Sequence, residues 1–187
     1  MRAVVITPPA PVVTWAQAAA HLNLGTDDTD KVYVEGLIEA ATSALDGPEG
    51  WLGRALGQQT LEVRFDSFLD QIVLPYPPTI SITSVGYVDQ AGAAQVVSST
   101  AYELIGRGVF PVYGAAWPSA RWQRNALTIR YLAGYATGVP AAIRHAILLM
   151  VGDLYRFRET VVPSANASKV PIAANVEALL STFRVYA

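Results

Sequence analysis

The chain has 187 residues, 52% of them hydrophobic and 15% charged, and 13 basic against 15 acidic side chains leave a formal net charge of −2. This composition excludes an intrinsically disordered chain, and the near-neutral balance argues against whole-surface binding to nucleic acid or anionic membrane. The absence of cysteine removes disulfides, thiolate catalysis and cysteine-ligated metals. A chain of this length buries about 70% of its unfolded surface, so a single domain is expected. The charged fraction falls below the roughly 25% usual for soluble domains, which predicts apolar surface facing a partner. The longest apolar run, Ala146 to Val151, is far shorter than the ~20 residues of a membrane span. Pro8, Pro9 and Pro11 interrupt the N-terminus before a signal-peptide core can form, and an unprocessed, non-secreted chain is expected.

Residues 1–13 read as an extended arm, because each proline also pushes its predecessor out of the helical region. Thr14 and Gln17 form a capping-box pattern opening a helix over Trp15 to Leu22, which Gly25 stops. Asp27, Asp28 and Asp30 precede Val34, Leu37, Ile38, Ala41 and Leu45, whose spacing draws one apolar stripe on a second helix. Gly47, Pro48 and Gly50 end it, and a short turn of helix is expected over Trp51 to Leu56. From Gln58 the period becomes two: Leu61, Val63 and Phe65 alternate with Glu62, Arg64 and Asp66. Further strands are predicted at Ile72–Leu74, Ile80–Asp89, Gln95–Ser98 after a hairpin at Ala91-Gly92, Tyr102–Ile105 and Ala126–Tyr131. Pro75, Pro77 and Pro78 mark a connection. Pro140 is expected at the first helical position of a central helix carrying Ile143, Ile147, Met150, Val151 and Leu154. Val161 to Ile172 reads as a mobile loop, and a last short helix spans about Asn175 to Thr182. The fold class is therefore α+β, with helices at both ends of the chain and an inserted antiparallel β-region. The boundaries are an arm over 1–13 and one domain over 14–187, with helices at about 14–56 and 139–187 and strands at about 57–135.

No catalytic, cofactor or metal pattern emerges. Gly47, Gly50 and Gly53 do not fit a phosphate loop, nor Gly106 and Gly108 a dinucleotide fingerprint; turn glycines and a hairpin or bulge explain them. His21 and His145 lack zinc-protease spacing. Asp27, Asp28 and Asp30 lack the ligand alternation of a calcium loop and suit a helix start. A small hydrolase would rest only on these histidines and aspartates. Arg121, Arg124 and Arg130 lie near Trp117 and Trp122, a basic-aromatic cluster that suits either nucleic acid or a protein hot spot. The acidic balance favours protein, as a subunit or partner interface. Phe183, Val185 and Tyr186 look like an exposed docking peptide.

Four ordered segments carry a resemblance that covers most of the chain from about Trp15. They are Leu37-Ile38, Ala40-Ala41 and Gly53-Arg54-Ala55-Leu56 with Gln59-Thr60; Leu74-Pro75-Tyr76-Pro77-Pro78 with Ser81 to Val85, Tyr87 and Asp89; Trp117-Pro118, Arg121, Asn125 to Tyr131 and Gly134-Tyr135; and Val139-Pro140, Ala146 to Met150, Tyr155, Arg158-Glu159, Pro171, Leu179-Leu180 and Phe183-Arg184-Val185. Together they resemble the head-tail connector, or adaptor, proteins of tailed bacteriophages and gene transfer agents. The proline-rich arm and Gly47-Pro48-Glu49-Gly50 depart from that pattern. The resemblance implies a non-enzymatic, cofactor-free subunit: a helical bundle with an inserted β-region, forming a twelvefold ring beneath the portal of a phage or phage-like particle assembled in the host cytoplasm. It implies a channel passing DNA without sequence-specific binding, no membrane partner, and docking of the next tail-completion or stopper protein. Portal contact would map to Val176, Leu179, Leu180, Phe183, Arg184, Val185 and Tyr186. A stopper or tail terminator of the same particles is the alternative.

Overall fold

The computed structural model describes residues 3–25, 28–157 and 174–186. Helix α1 (Trp15–Leu22) starts as its capping box dictates: the Thr14 hydroxyl accepts from the Gln17 amide, and the Gln17 side chain accepts from the Thr14 amide. Two donors that the first turn would orphan are thus satisfied reciprocally. Helix α2 (Lys31–Ser43) buries Val34, Ile38 and Ala41, and Leu45 just beyond it is fully buried. Helix α3 (Ala141–Arg156) buries Ile143, Ala146, Ile147 and Val151. Helix α4 (Ala174–Leu180), continued by a 3-10 turn over Ser181–Phe183, inserts Val176 and Leu180 between its neighbours. All four helices share one apolar core, which Val13, Leu52 and Leu56 complete.

Local details depart from the sequence pattern. Pro140 precedes α3 as its N-cap, with φ −49° and ψ 141°, because extended ψ at that residue keeps it outside the helix. Leu154 lies on the stripe but is 40% exposed. Asp30 occupies the N-cap of α2 without a side-chain capping bond; its carboxylate instead accepts from the Tyr155 hydroxyl at 2.7 Å, tying α2 to α3. Asp27 and the loop expected over Val161 to Ile172 lie outside the described residues.

Eight strands follow in chain order: β1 (Ala3–Thr7), β2 (Gln59–Phe65), β3 (Ile72–Val73), β4 (Thr79–Val88), β5 (Ala94–Val96), β6 (Tyr102–Ile105), β7 (Gly108–Pro111) and β8 (Leu127–Ala133). They form a five-stranded sheet in the order β1-β2-β8-β4-β5 and a three-stranded sheet β3-β7-β6, every pairing antiparallel. The fold is α+β. Part of the expected arm is strand β1, so one strand precedes all the helices. Alternating residues Leu61, Val63, Val85, Ile129 and Tyr131 turn to one side and, with Ile72, Leu74 and Val109, make a second apolar core. Tyr131 is fully buried and its hydroxyl donates to the Pro75 carbonyl at 2.6 Å; burial pushes that phenol well above its usual range. Glu62 belongs to the opposite, outward face but is only 4% exposed, because Arg64 and Arg130 fold over it at 2.9 and 2.7 Å. The Arg130 hydrogen bond, outweighing partial burial and aided by Arg64, holds its carboxyl below the usual range.

Candidate docking surfaces

Residues 46–56 form hydrogen-bonded turns in place of the expected helix at Trp51 to Leu56. Two features prevent a helix there. Gly53 has φ +62°, the left-handed region, and Asp46 folds the loop back on itself. The Asp46 Oδ1 accepts from the Leu56 amide at 2.6 Å, and the Gln59 side-chain amide donates to both carboxylate oxygens at 3.0 and 3.1 Å. Burial raises the Asp46 pKa, against the lowering effect of these hydrogen bonds. Asp46 thereby connects the end of the helical core to the first residue of β2.

This loop carries the C-terminal segment. The Val185 amide donates to the Leu52 carbonyl at 2.9 Å, and the Arg54 guanidinium donates to the Phe183 carbonyl while lying 3.3 Å from the Tyr135 hydroxyl. Arg184 stacks between two rings, 4.2 Å from the Trp51 centroid and 4.8 Å from that of Tyr186. A Cβ on Gly53 would lie 2.4 Å from the Val185 carbonyl oxygen, so only glycine permits the approach. Among the residues expected to contact a portal, Val176 and Leu180 are fully buried in this chain's own core. Leu179, Phe183, Arg184 and Val185 are half-buried, and Tyr186 is 77% exposed. Phe183 and Val185 therefore differ from the exposed docking peptide expected: their own chain supplies a seat. The sequence pattern missed Asp46, Trp51, Gly53 and Arg54 as that seat. The Gly53-Arg54 pair was the available signal, since a glycine followed by a long donor suits close backbone contact.

The expected basic-aromatic cluster does not hold together: Arg130 is taken up by its ion pair with Glu62, and the remaining residues divide in two. Trp117 is structural: its ring stacks on Phe68 at 4.9 Å between centroids and its indole N–H donates to the Leu69 carbonyl at 2.9 Å. Trp122 is 94% exposed. Arg121 lies along the β4–β5 hairpin, where its amide donates to the Val88 carbonyl at 2.8 Å and its guanidinium lies beside Gly92. Arg124 is exposed near the start of β8. At the β1 side of the sheet, an open cleft is lined by Val4, Glu62, Arg64, Phe65, Asp66 and Leu69.

His21 and His145 meet edge-on with centroids 6.1 Å apart, a contact between α1 and α3. Among the described residues no group of three His, Asp or Glu could hold a metal ion, and no helix is long and apolar enough to cross a membrane.

No family model and no curated protein matches the sequence. Solved structures match it end to end. One similar chain belongs to the neck of an empty gene transfer agent (GTA) particle computed with C6 symmetry, at 22% identity and TM-score 0.76. Another belongs to the virion of a native GTA particle, at 22% identity and TM-score 0.75. A third belongs to the neck of a native GTA particle computed with C12 symmetry, at 20% identity and TM-score 0.69. Each similarity covers 100% of this chain and 97% of the other. At these identities the likeness establishes a shared fold.

Proposed function

We propose that this protein is a structural, non-enzymatic head-tail connector subunit of a phage or phage-like particle, assembled as a ring beneath the portal. The observation that carries this reading is the end-to-end fold similarity to chains from GTA particle necks, computed with C6 and C12 symmetry. In this reading the four helices are the bundle and the strands its insertion. Twelve copies close by head-to-tail contacts, extend the DNA channel, and present a lower face to a stopper or tail-completion protein. The particle assembles in the host cytoplasm. DNA passes without sequence-specific contact, which the weak overall charge supports.

Portal contact is assigned to the surface of the C-terminal segment, with Tyr186, Arg184, Val185, Phe183 and Leu179 facing the portal. Val176 and Leu180 act as its anchor in the core. Trp122, with Arg121 and Arg124, is assigned to a subunit or tail-side contact, since exposed Trp and Arg are the residue types that dominate protein hot spots.

The test is electron microscopy of the purified protein mixed with its cognate portal, with each alone as control. A variant shortened by residues 184–187 is tested in parallel, since it keeps the buried Val176 and Leu180. The expected result is a symmetric ring below the portal with the full chain and none with the shortened, still folded variant. The same ring from the shortened variant refutes the tail assignment. Absence of a ring from the full chain, with binding to a tail-side component instead, would favour a stopper or tail terminator.

A further inference from the structure

The five-stranded sheet ends in two open edges, β1 and β5, each paired on one side only among the described residues. Open edges offer unpaired backbone donors and acceptors, and folded proteins usually guard them with lysine, proline, bulges or a covering element. Neither edge here carries a charge or a proline within the strand, β1 reading Ala-Val-Val-Ile-Thr and β5 Ala-Gln-Val; the register of β1 shifts once, between Val5 and Thr7, which leaves Ala3 to Val5 as its regular edge. Both also present apolar side chains to solvent, with Val4, Val5 and Ile6 exposed by 51, 41 and 45% and Val96 by 73%. Pro8 and Pro9 begin immediately after β1, so pairing along that edge is confined to one short strand.

The geometry points to strand addition between copies: the outer edge of β1 in one subunit pairs with the outer edge of β5 in the next. This names the subunit contact and rests on the ring reading above. The occupant is a second copy because one sheet supplies both complementary edges, at its opposite ends. Using one edge of each type per contact is a heterologous arrangement, the kind that generates a ring when its rotation closes. The direction of the strands agrees. Five strands in wholly antiparallel order leave β1 and β5 running the same way. A rotation about an axis roughly along the strands preserves that direction, so the new junction is a parallel ladder. A β1–β1 contact would instead need a twofold axis and an antiparallel ladder; it would consume the edge and stop at a dimer.

The chain has no cysteine, so introduced thiols report only on themselves. Val5→Cys with Val96→Cys, and Val4→Cys with Val96→Cys, are made as double variants, the two covering both side-chain faces of β1. Across four strand spacings the two edges are about 19 Å apart, far outside the Cα separation of about 4.4–6.8 Å that a disulfide bridges. Any cross-link is therefore between copies. Each variant is oxidised alone at high concentration and in complex with the cognate portal, then resolved on a denaturing gel beside the three single variants. The expected result is a ladder of multimers from at least one double variant in the portal complex, and only monomer from every single variant. Dimers from Val5→Cys or Val4→Cys alone would show β1–β1 pairing and overturn the proposal. Rings visible on the portal with no cross-link in either double variant would overturn the edge pairing while leaving the connector reading intact. Absence of any ring with unmodified protein would overturn the connector reading, and the pairing with it.

Discussion

Replacing Gly53 by alanine separates the seating of the C-terminal segment from the stability of the helical core beneath it. The new methyl group would stand 2.4 Å from the Val185 carbonyl oxygen, and φ at this residue is +62°. An alanine in left-handed conformation costs about 1–2 kcal/mol. Relief of the clash requires the segment to lift, which loses the Val185-to-Leu52 hydrogen bond, worth about 1 kcal/mol. It also loses the stack of Arg184 on Trp51, worth about 0.5–1 kcal/mol at an exposed site. The expected total is about 3 kcal/mol, read as a lowered urea midpoint with an unchanged slope. The Val185 amide should lose its hydrogen-exchange protection while the amides of α3 keep most of theirs. Gly36→Ala is the internal control. That glycine lies inside α2 with nothing within 4 Å of a new Cβ, so the same substitution there should stabilise by about 0.5–1 kcal/mol. Equal, small effects at the two glycines, with Val185 still protected in Gly53→Ala, would refute the seating.

Other substitutions address the remaining contacts. Asp46→Ala strands the Leu56 amide and the Gln59 side chain without their acceptor, and should lower stability by about 1–3 kcal/mol in denaturant titration; Asp46→Asn, which keeps one acceptor oxygen, should lose less. Tyr131→Phe removes the bond to Pro75 and should cost about 1 kcal/mol, with near-ultraviolet dichroism of the remaining aromatics unchanged. Leu180→Ala empties a fully buried site and should cost about 2–5 kcal/mol, seen in all probes together because this residue belongs to the core. The two buried carboxylates should act oppositely with pH. Glu62 is held below the usual range, so its contribution is present above that range and is lost as pH falls through the lowered folded value. Asp46 is raised, so its contribution is complete below the usual carboxylate pKa and is lost as pH rises through the folded value. Melting temperatures across pH should therefore show a flattened acid limb in Glu62→Gln.

The helices and most strands were legible because each is written locally. The Thr14 and Gln17 capping pair, the Val34, Ile38, Ala41 and Leu45 stripe, and the alternation from Leu61 need no knowledge of distant residues. What was not legible depends on contacts far apart in sequence. β1 reads as a proline-bounded arm until β2, more than fifty residues on, supplies its partner. β7 is too short and glycine-led to stand out, and exists because β3 and β6 flank it. Glu62 alternates as a solvent residue and is covered only when β8 brings Arg130 alongside. The candidate site behaves likewise. Tail residues 183–186 look like a free apolar peptide because their seat, Trp51 to Arg54, is about 130 residues away in sequence. Trp122 and Trp117 look alike as letters, and only the Phe68 stack distinguishes the half-buried one.

The way the C-terminus is fastened also fixes how the protein bears a load. A pull at Tyr186 meets first the Arg184 stack on Trp51 and the Val185-to-Leu52 bond, then the Arg54 grip on Phe183, and only afterwards Leu180 and Val176 inside the helical core. Those fastenings lie in sequence along the line of force, so they yield one after another, weak before strong. The seat itself is tied through Asp46 to Gln59 at the head of β2, so tension that reaches it is shared between helices and sheet. The tail can therefore give by several residues before either core opens.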